Sequence, residues 1–190
     1  MEELKEKIVK EGQAVNEIIL KVDSFLNHQV DAKLMSKIGE EFAEHFKDKN
    51  ITKVVTIETG GIVPAVFTAL TLNVPFVIFK KGTSKILPSD VYHTKVKSYT
   101  KGIEYDLMVS KKYLKKEDNI LIIDDFLANG EAALGLIKII EMAESNIVGM
   151  GFVIEKSFQE GRKRITGKGL KIHSLAKIKS LSEGKIVFEE

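Results

Sequence analysis

Apolar residues recur along this chain in two rhythms, and the change falls near residue 50. Ahead of that point the helical period dominates. Leu4 and Ile8 share a face behind the acidic Glu2 and Glu3, which predicts a helix over 2–11 that Gly12 can end. Asp31 is placed to cap a helix over 32–48 whose apolar stripe is Leu34, Ile38, Phe42 and Phe46. Between them, "IILKVDSFLNHQVD" (18–31) has no clean period and reads as a loop with short extended pieces.

Beyond residue 50, short apolar runs alternate with helical stripes. Strands are predicted at 53–58, 74–80, 120–124, 147–156, 170–178 and 185–189. Helices are predicted at 62–72, with Pro64 tolerated in the first turn, and at 130–143, where Ala133, Leu136, Ile137 and Ile140 share a face. A short polar helix fits 158–165. The segment 103–110 alternates strictly, with Ile103, Tyr105, Leu107 and Val109 on one side. The β-rich run 91–99 lies just upstream and "TKG" (100–102) can turn between them, so a hairpin is expected. Residues 81–90 contain Gly, Ser and Pro with no period, the pattern of a mobile loop. Strands alternating with helices imply an α/β domain over 1–190, its mostly parallel sheet covered by helices on both faces. Ligands in such sheets sit beyond the carboxyl ends of the strands.

Composition narrows the possibilities. The 190 residues include no cysteine, which excludes disulfides and thiolate metal sites. Lys and Arg (29) nearly balance Asp and Glu (27), leaving no overall field to draw in nucleic acid or an anionic membrane. The start "MEELKEKIVKEG" lacks a signal-peptide core, and no apolar run is long enough for a spanning helix. The expectation is a cytoplasmic protein with small-molecule partners.

The chemistry concentrates in "NILIIDDFLANGEAALGL" (119–136), where two adjacent acids, Asp124 and Asp125, meet a Gly-containing turn and a helix. Gly130 permits backbone angles closed to other residues, and the first N–H groups of a helix lack helical acceptors. Such a turn is a cup for a phosphate. Carboxylates repel phosphate but accept from sugar hydroxyls and hold magnesium. A ribose 5-phosphate therefore suits every part. A solvated turn at a strand end is the bland alternative. A dinucleotide site is disfavoured because no G-x-G-x-x-G is present. The four histidines show no metal-ligand spacing.

"ILIIDDFLANGEAAL" resembles the phosphoribosyl-diphosphate motif of the type I phosphoribosyltransferases. "TIETGGIVPA" (56–65) resembles the diphosphate-binding loop of that family, and 81–105 its flexible loop. With "LKVDSFLNHQVD" (20–31) and "VIEKSFQEG" (153–161), the resemblance extends along the chain to the bacterial branch that uses xanthine. It implies the type I fold, with a mobile hairpin loop at 81–102 and a small hood from about 1–31 and 156–190. It implies transfer of phosphoribose from phosphoribosyl diphosphate to xanthine, with Mg2+, by a homodimer. Transfer to another purine, or a non-enzymatic sensor of phosphoribosyl diphosphate, stays open. In the implied site Asp124 and Asp125 are catalytic, holding the ribose hydroxyls, with one able to reach magnesium. Ala128, Asn129, Gly130, Glu131 and Ala132 hold the 5-phosphate, and Thr59, Gly60 and Gly61 the leaving diphosphate. Leu20, Asn27, Phe126 and Lys156 form the purine pocket. Without the resemblance, Lys156 reads equally as a solvated strand-end lysine and Asn27 as a turn residue. The chain departs from common family patterns in having Asn129-Gly130 for Thr-Gly and Ala132 for a hydroxyl residue, and from the xanthine branch in having "ETGG" for Glu-Ser-Ser-Gly.

Overall fold

The computed structural model describes residues 1–82, 90–98 and 102–189. The chain opens with α1 (Glu2–Glu11), a small hairpin of β1 (Gln13–Ala14) and β2 (Leu20–Lys21), a wide helical turn (Asp23–Asn27) and α2 (Ala32–Phe46). Asp31 caps α2 as expected, accepting from the Leu34 N–H at 3.1 Å. Then come β3 (Lys53–Ile57), α3 (Ile62–Leu72), β4 (Phe76–Gly82), β5 (Val91–Ser98) and β6 (Ile103–Ser110). The last part is β7 (Asn119–Leu127), α4 (Glu131–Met142), β8 (Asn146–Lys156), α5 (Gly161–Thr166), β9 (Ile172–Ser182) and β10 (Lys185–Phe188).

Eight strands form one sheet in the order β10-β9-β8-β7-β3-β4-β6-β5. The five from β9 to β4 run parallel, and β10, β6 and β5 add antiparallel edges. Successive strand residues point to opposite faces, so one strand feeds two cores. Leu121 and Ile123 of β7 pack with α1, α2 and α3, while Ile120 and Ile122 pack with α4 and the β5–β6 hairpin.

Several boundaries differ from the patterning: β9 runs over Ile172–Ser182 rather than 170–178, α5 over Gly161–Thr166 rather than 158–165, and a helical turn occupies Asp23–Asn27. Two differences bear on the site. Lys81 and Gly82 belong to β4 rather than to a loop, because Lys80–Gly82 pair with Met108, Leu107 and Asp106 of β6. Pairing uses backbone groups and does not require an apolar run. Strand β7 continues through both acids to Leu127, held by β8 through Asp124↔Phe152 and Phe126↔Ile154. Of the expected mobile segment 81–102, residues 83–89 and 99–101 lie outside the described residues.

Candidate active site

Carrying β7 past its apolar run delivers both acids to the carboxyl edge of the sheet. Asp124 is only 4% exposed. The Asp125 N–H donates to Asp124 Oδ1 at 3.0 Å, and the Phe126 N–H donates to Asp125 Oδ1 at 2.9 Å. Burial pushes the Asp124 carboxyl well above the usual range, and the neighbouring Asp125 charge pushes it further. Burial raises Asp125 as well. Directly against the pair lies the loop that follows β3. A Cβ on Gly60 would fall 1.8 Å from Asp125 Oδ2, and one on Gly61 2.5 Å from Asp124 Oδ1. Only glycine permits that approach. The preceding Glu58–Thr59 peptide is cis.

Past β7 the chain turns through Ala128 and Asn129 to Gly130, whose φ of +85° caps α4. The turn and first residues of α4 form one wall of a cavity of about 670 Å³, shared with Asp125, Phe126 and Lys156. From outside, α5 supports this wall. The Gly161 N–H donates to the Ala128 carbonyl at 3.0 Å, and a Cβ on Gly161 would meet that oxygen at 2.3 Å. Helix α5 is itself fastened by Arg162, whose Nε and Nη2 each donate to Glu155 at 2.6 Å. Burial alone would raise the Glu155 carboxyl, but the bonds from Arg162 and Ser174 hold it below the usual range.

The opposite wall is the β1–β2 hairpin. Asn16 Oδ1 accepts from the Ile18 and Ile19 N–H groups at 2.8 Å each, fixing the hairpin tip. The freed Ile18 carbonyl accepts from Lys156 Nζ at 2.7 Å, and that ammonium lies 5.3 Å from the centre of the Phe126 ring. Burial lowers the Lys156 pKa, while the Asp125 charge opposes the drop. Lys81 and Tyr105 close a third side, with Lys81 Nζ 5.4 Å from the ring centre. Burial, with the Asp124 and Glu131 charges, pushes the Tyr105 hydroxyl up to about 12.

The structure thus gathers nearly all the expected residues. Asp125, Ala128 to Ala132, Leu20, Phe126 and Lys156 line the cavity, and Gly60 and Gly61 touch the acids. Asn27 does not join them; it is exposed at the end of the helical turn, away from the cavity lining. Residues that the sequence reading missed are Asn16, Ile18, Lys81, Tyr105 and the supports Gly161 and Arg162. Among these, Asn16 carried a local signal, since Asn two residues before an apolar pair is a turn former. Among the described residues no group of three or more His, Cys, Asp or Glu side chains is arranged to hold a metal.

Residues 22–179 match the phosphoribosyl transferase domain family, and the chain belongs to that family. Within it, the chain is 58% identical over 188 residues to xanthine phosphoribosyltransferase 1 of Clostridium botulinum, covering 99% of each. It is 55% identical to xanthine phosphoribosyltransferase of Clostridium acetobutylicum, covering 99% of this chain and 100% of the relative. Among solved structures, adenine phosphoribosyltransferase of Trypanosoma brucei with AMP, pyrophosphate and ribose-5-phosphate matches at TM-score 0.77 and 18% identity. That match covers 92% of this chain and 79% of that one, and speaks for the fold alone.

Proposed function

We propose that this chain transfers the 5-phosphoribosyl group of phosphoribosyl diphosphate to N9 of xanthine, giving xanthosine 5′-monophosphate and diphosphate. The observation that carries the reading is the placement of an adjacent carboxylate pair, Asp124 buried and Asp125 facing the cavity, beside a backbone phosphate cup and an aromatic ring with its ammonium. The sequence likeness to enzymes named for xanthine supports the choice of base.

The sugar lies across the end of β7, its 5-phosphate on the N–H groups of 128–132 and its hydroxyls donating to Asp124 and Asp125. The bond from the anomeric carbon to the diphosphate breaks and its electron pair leaves with the diphosphate. The sugar ring then carries positive charge, as in glycoside chemistry, and the acid pair stabilises it. N9 supplies the pair for the new C–N bond, and its proton is lost. The loop at Thr59, Gly60 and Gly61 offers backbone donors to the departing diphosphate. Phe126 stacks on the purine, Leu20 packs against it, and Lys156 exchanges the Ile18 carbonyl for a purine oxygen. Asn27 reaches the purine edge only if its turn moves inward.

Two adjacent carboxylates, both raised by burial and without a salt bridge among the described residues, leave negative charge in excess, which suits a divalent cation. Asp124 or Asp125 would hold Mg2+ or its waters together with donor oxygens, and the ion supplies positive charge to the leaving group. The segments 1–31 and 156–190 act together as a hood, supported by the bond from the Gly184 N–H to the Ala14 carbonyl at 3.1 Å. The working form is a cytoplasmic homodimer. Val66 and Leu70, exposed one helical turn apart on α3, are apolar surface available to a second copy.

The test is to supply the protein with phosphoribosyl diphosphate, magnesium and each of xanthine, guanine, hypoxanthine and adenine, and to identify the nucleotide formed. Xanthosine monophosphate as the main product supports the reading. Turnover of another base with none of xanthine would overturn the substrate.

A further inference from the structure

The proposed phosphate cup contains an acid. Glu131 is the first residue of α4, lines the same cavity as Ala128 to Ala132, and keeps 26% of its side chain exposed. A carboxylate suits the positive end of a helix but repels a phosphate bound there. Something must offset it. Arg164, on α5, donates through Nη1 to Glu131 Oε1, and the same nitrogen donates to the Asn129 carbonyl at 2.6 Å. The guanidinium therefore binds two groups of the cup whose polarity is wrong for an anion, one carboxylate and one carbonyl.

The placement of Arg164 is built. Gly161 brings the start of α5 into van der Waals contact with the turn, and Arg162 anchors the helix to the buried Glu155. Arg164 follows Gly161 by three residues, close to one helical turn, which sets it over the same turn as the Gly161 contact.

We propose that Arg164 is a positioning residue of the 5-phosphate cup. It neutralises Glu131 and holds the Asn129 carbonyl, so that the N–H groups of 128–132 meet the phosphate without an opposing charge. This rests on the reading of that turn as the phosphate site. Arg164 acts through Glu131 and Asn129 and is not assigned a contact with substrate.

Calorimetric titration with ribose 5-phosphate, which needs no turnover, tests the idea on wild type, Arg164→Met and the double variant Arg164→Met/Glu131→Gln. Arg164→Met should weaken ribose 5-phosphate about tenfold, since it leaves the Glu131 charge unopposed beside the phosphate. Adding Glu131→Gln removes that charge and should restore binding to within about threefold of wild type. In turnover assays Arg164→Met should raise KM for the phosphoribosyl donor and leave KM for the purine unchanged. Unchanged binding in Arg164→Met, or weakening that Glu131→Gln does not relieve, would overturn the proposal; the second result is what a merely structural arginine gives. Wild-type protein that ignores ribose 5-phosphate would instead take down the phosphate-site reading, and this inference with it.

Discussion

The sheet carries poorly exposed carboxylates at both ends, and the pair at the end of β7 is treated in the opposite way from Asp118 at its start, whereas the nearby Glu155 is paired by Arg162. At the amino-terminal edge, Asp118 is 6% exposed and faces Lys53, itself 8% exposed. Lys53 Nζ donates to Asp118 Oδ2 at 2.6 Å and to the Tyr113 carbonyl at 2.7 Å. The Lys115 N–H and the Thr52 hydroxyl complete the acceptor shell of Asp118. Burial alone would raise its carboxyl, but these partners hold it below the usual range. At the carboxyl edge, Asp124 and Asp125 have no salt bridge among the described residues, and both are raised. A charge kept for folding is surrounded by its own partners. A charge kept for a ligand waits for partners that the ligand brings. The difference marks which end of the molecule works.

Breaking each end separately should separate stability from activity. The largest effect is expected at the structural end. Lys53→Met leaves Asp118 buried without its cation and should lower unfolding free energy by about 3–5 kcal/mol, read from urea denaturation. The folded fraction should keep its turnover, because Lys53 lies away from the cavity lining. Next comes the working end. Asp125→Asn should reduce kcat about 100-fold while raising stability by about 1 kcal/mol, since it removes a partly buried carboxylate whose charge burial disfavours and which has no salt bridge among the described residues. A drop in stability alongside the drop in kcat would erase the contrast. Smaller again is Lys156→Ala, which should raise KM for xanthine about tenfold and leave the donor KM unchanged, as expected of a charge-assisted bond made only to the base. Equal losses for both substrates would count against a base-reading lysine.

Much of this contrast could be read in the chain before folding, and the legible part is the local part. The cap at Asp31, the bounds of α3 and the acid pair ahead of a Gly-capped helix all depend on residues within a few positions of one another. The helical stripe of α2 is also local, and each of Leu34, Ile38, Phe42 and Phe46 is buried. What escaped depends on long-range approach. The Lys156 bond to the Ile18 carbonyl spans 138 positions, and the Arg164 bond to Asn129 spans 35. No spacing in the sequence signals either. Lys81 reads as loop because 81–90 contains Gly, Ser and Pro without a period, whereas its place is set by the backbone of β6. The burial of Asp118 beside Lys53 is equally silent, because the two residues are 65 positions apart.

A half-buried histidine, His173, sharpens the comparison, with the smallest expected effect. Its ring stacks on His45 with centres 3.7 Å apart and planes 10° apart, and Phe42 and Phe46 meet it edge-on. Its Nε2 is buried with no hydrogen-bond partner among the described residues. Burial pushes its pKa down to about 4, and the charges of His45, the amino terminus, Lys177 and Arg162 add to the drop. The unfolded chain takes up the proton near the ordinary pH 6.5, so stability from this group is complete above that pH and declines as pH falls toward 4. The raised acids at the working end act with the opposite sign, because they bind protons more readily folded than unfolded. A single stability curve would mix the two. Subtracting the curve of His173→Phe, which keeps an aromatic ring against His45 but cannot titrate, removes the shared carboxylate background. The difference should be flat above pH 6.5 and reach about 1 kcal/mol at pH 4, in favour of the phenylalanine variant, after allowance for the partial solvent access of the ring. A flat difference across the whole range would mean that His173 is protonated without cost in the folded protein, and that the stacked pair belongs with the satisfied charges at the amino edge.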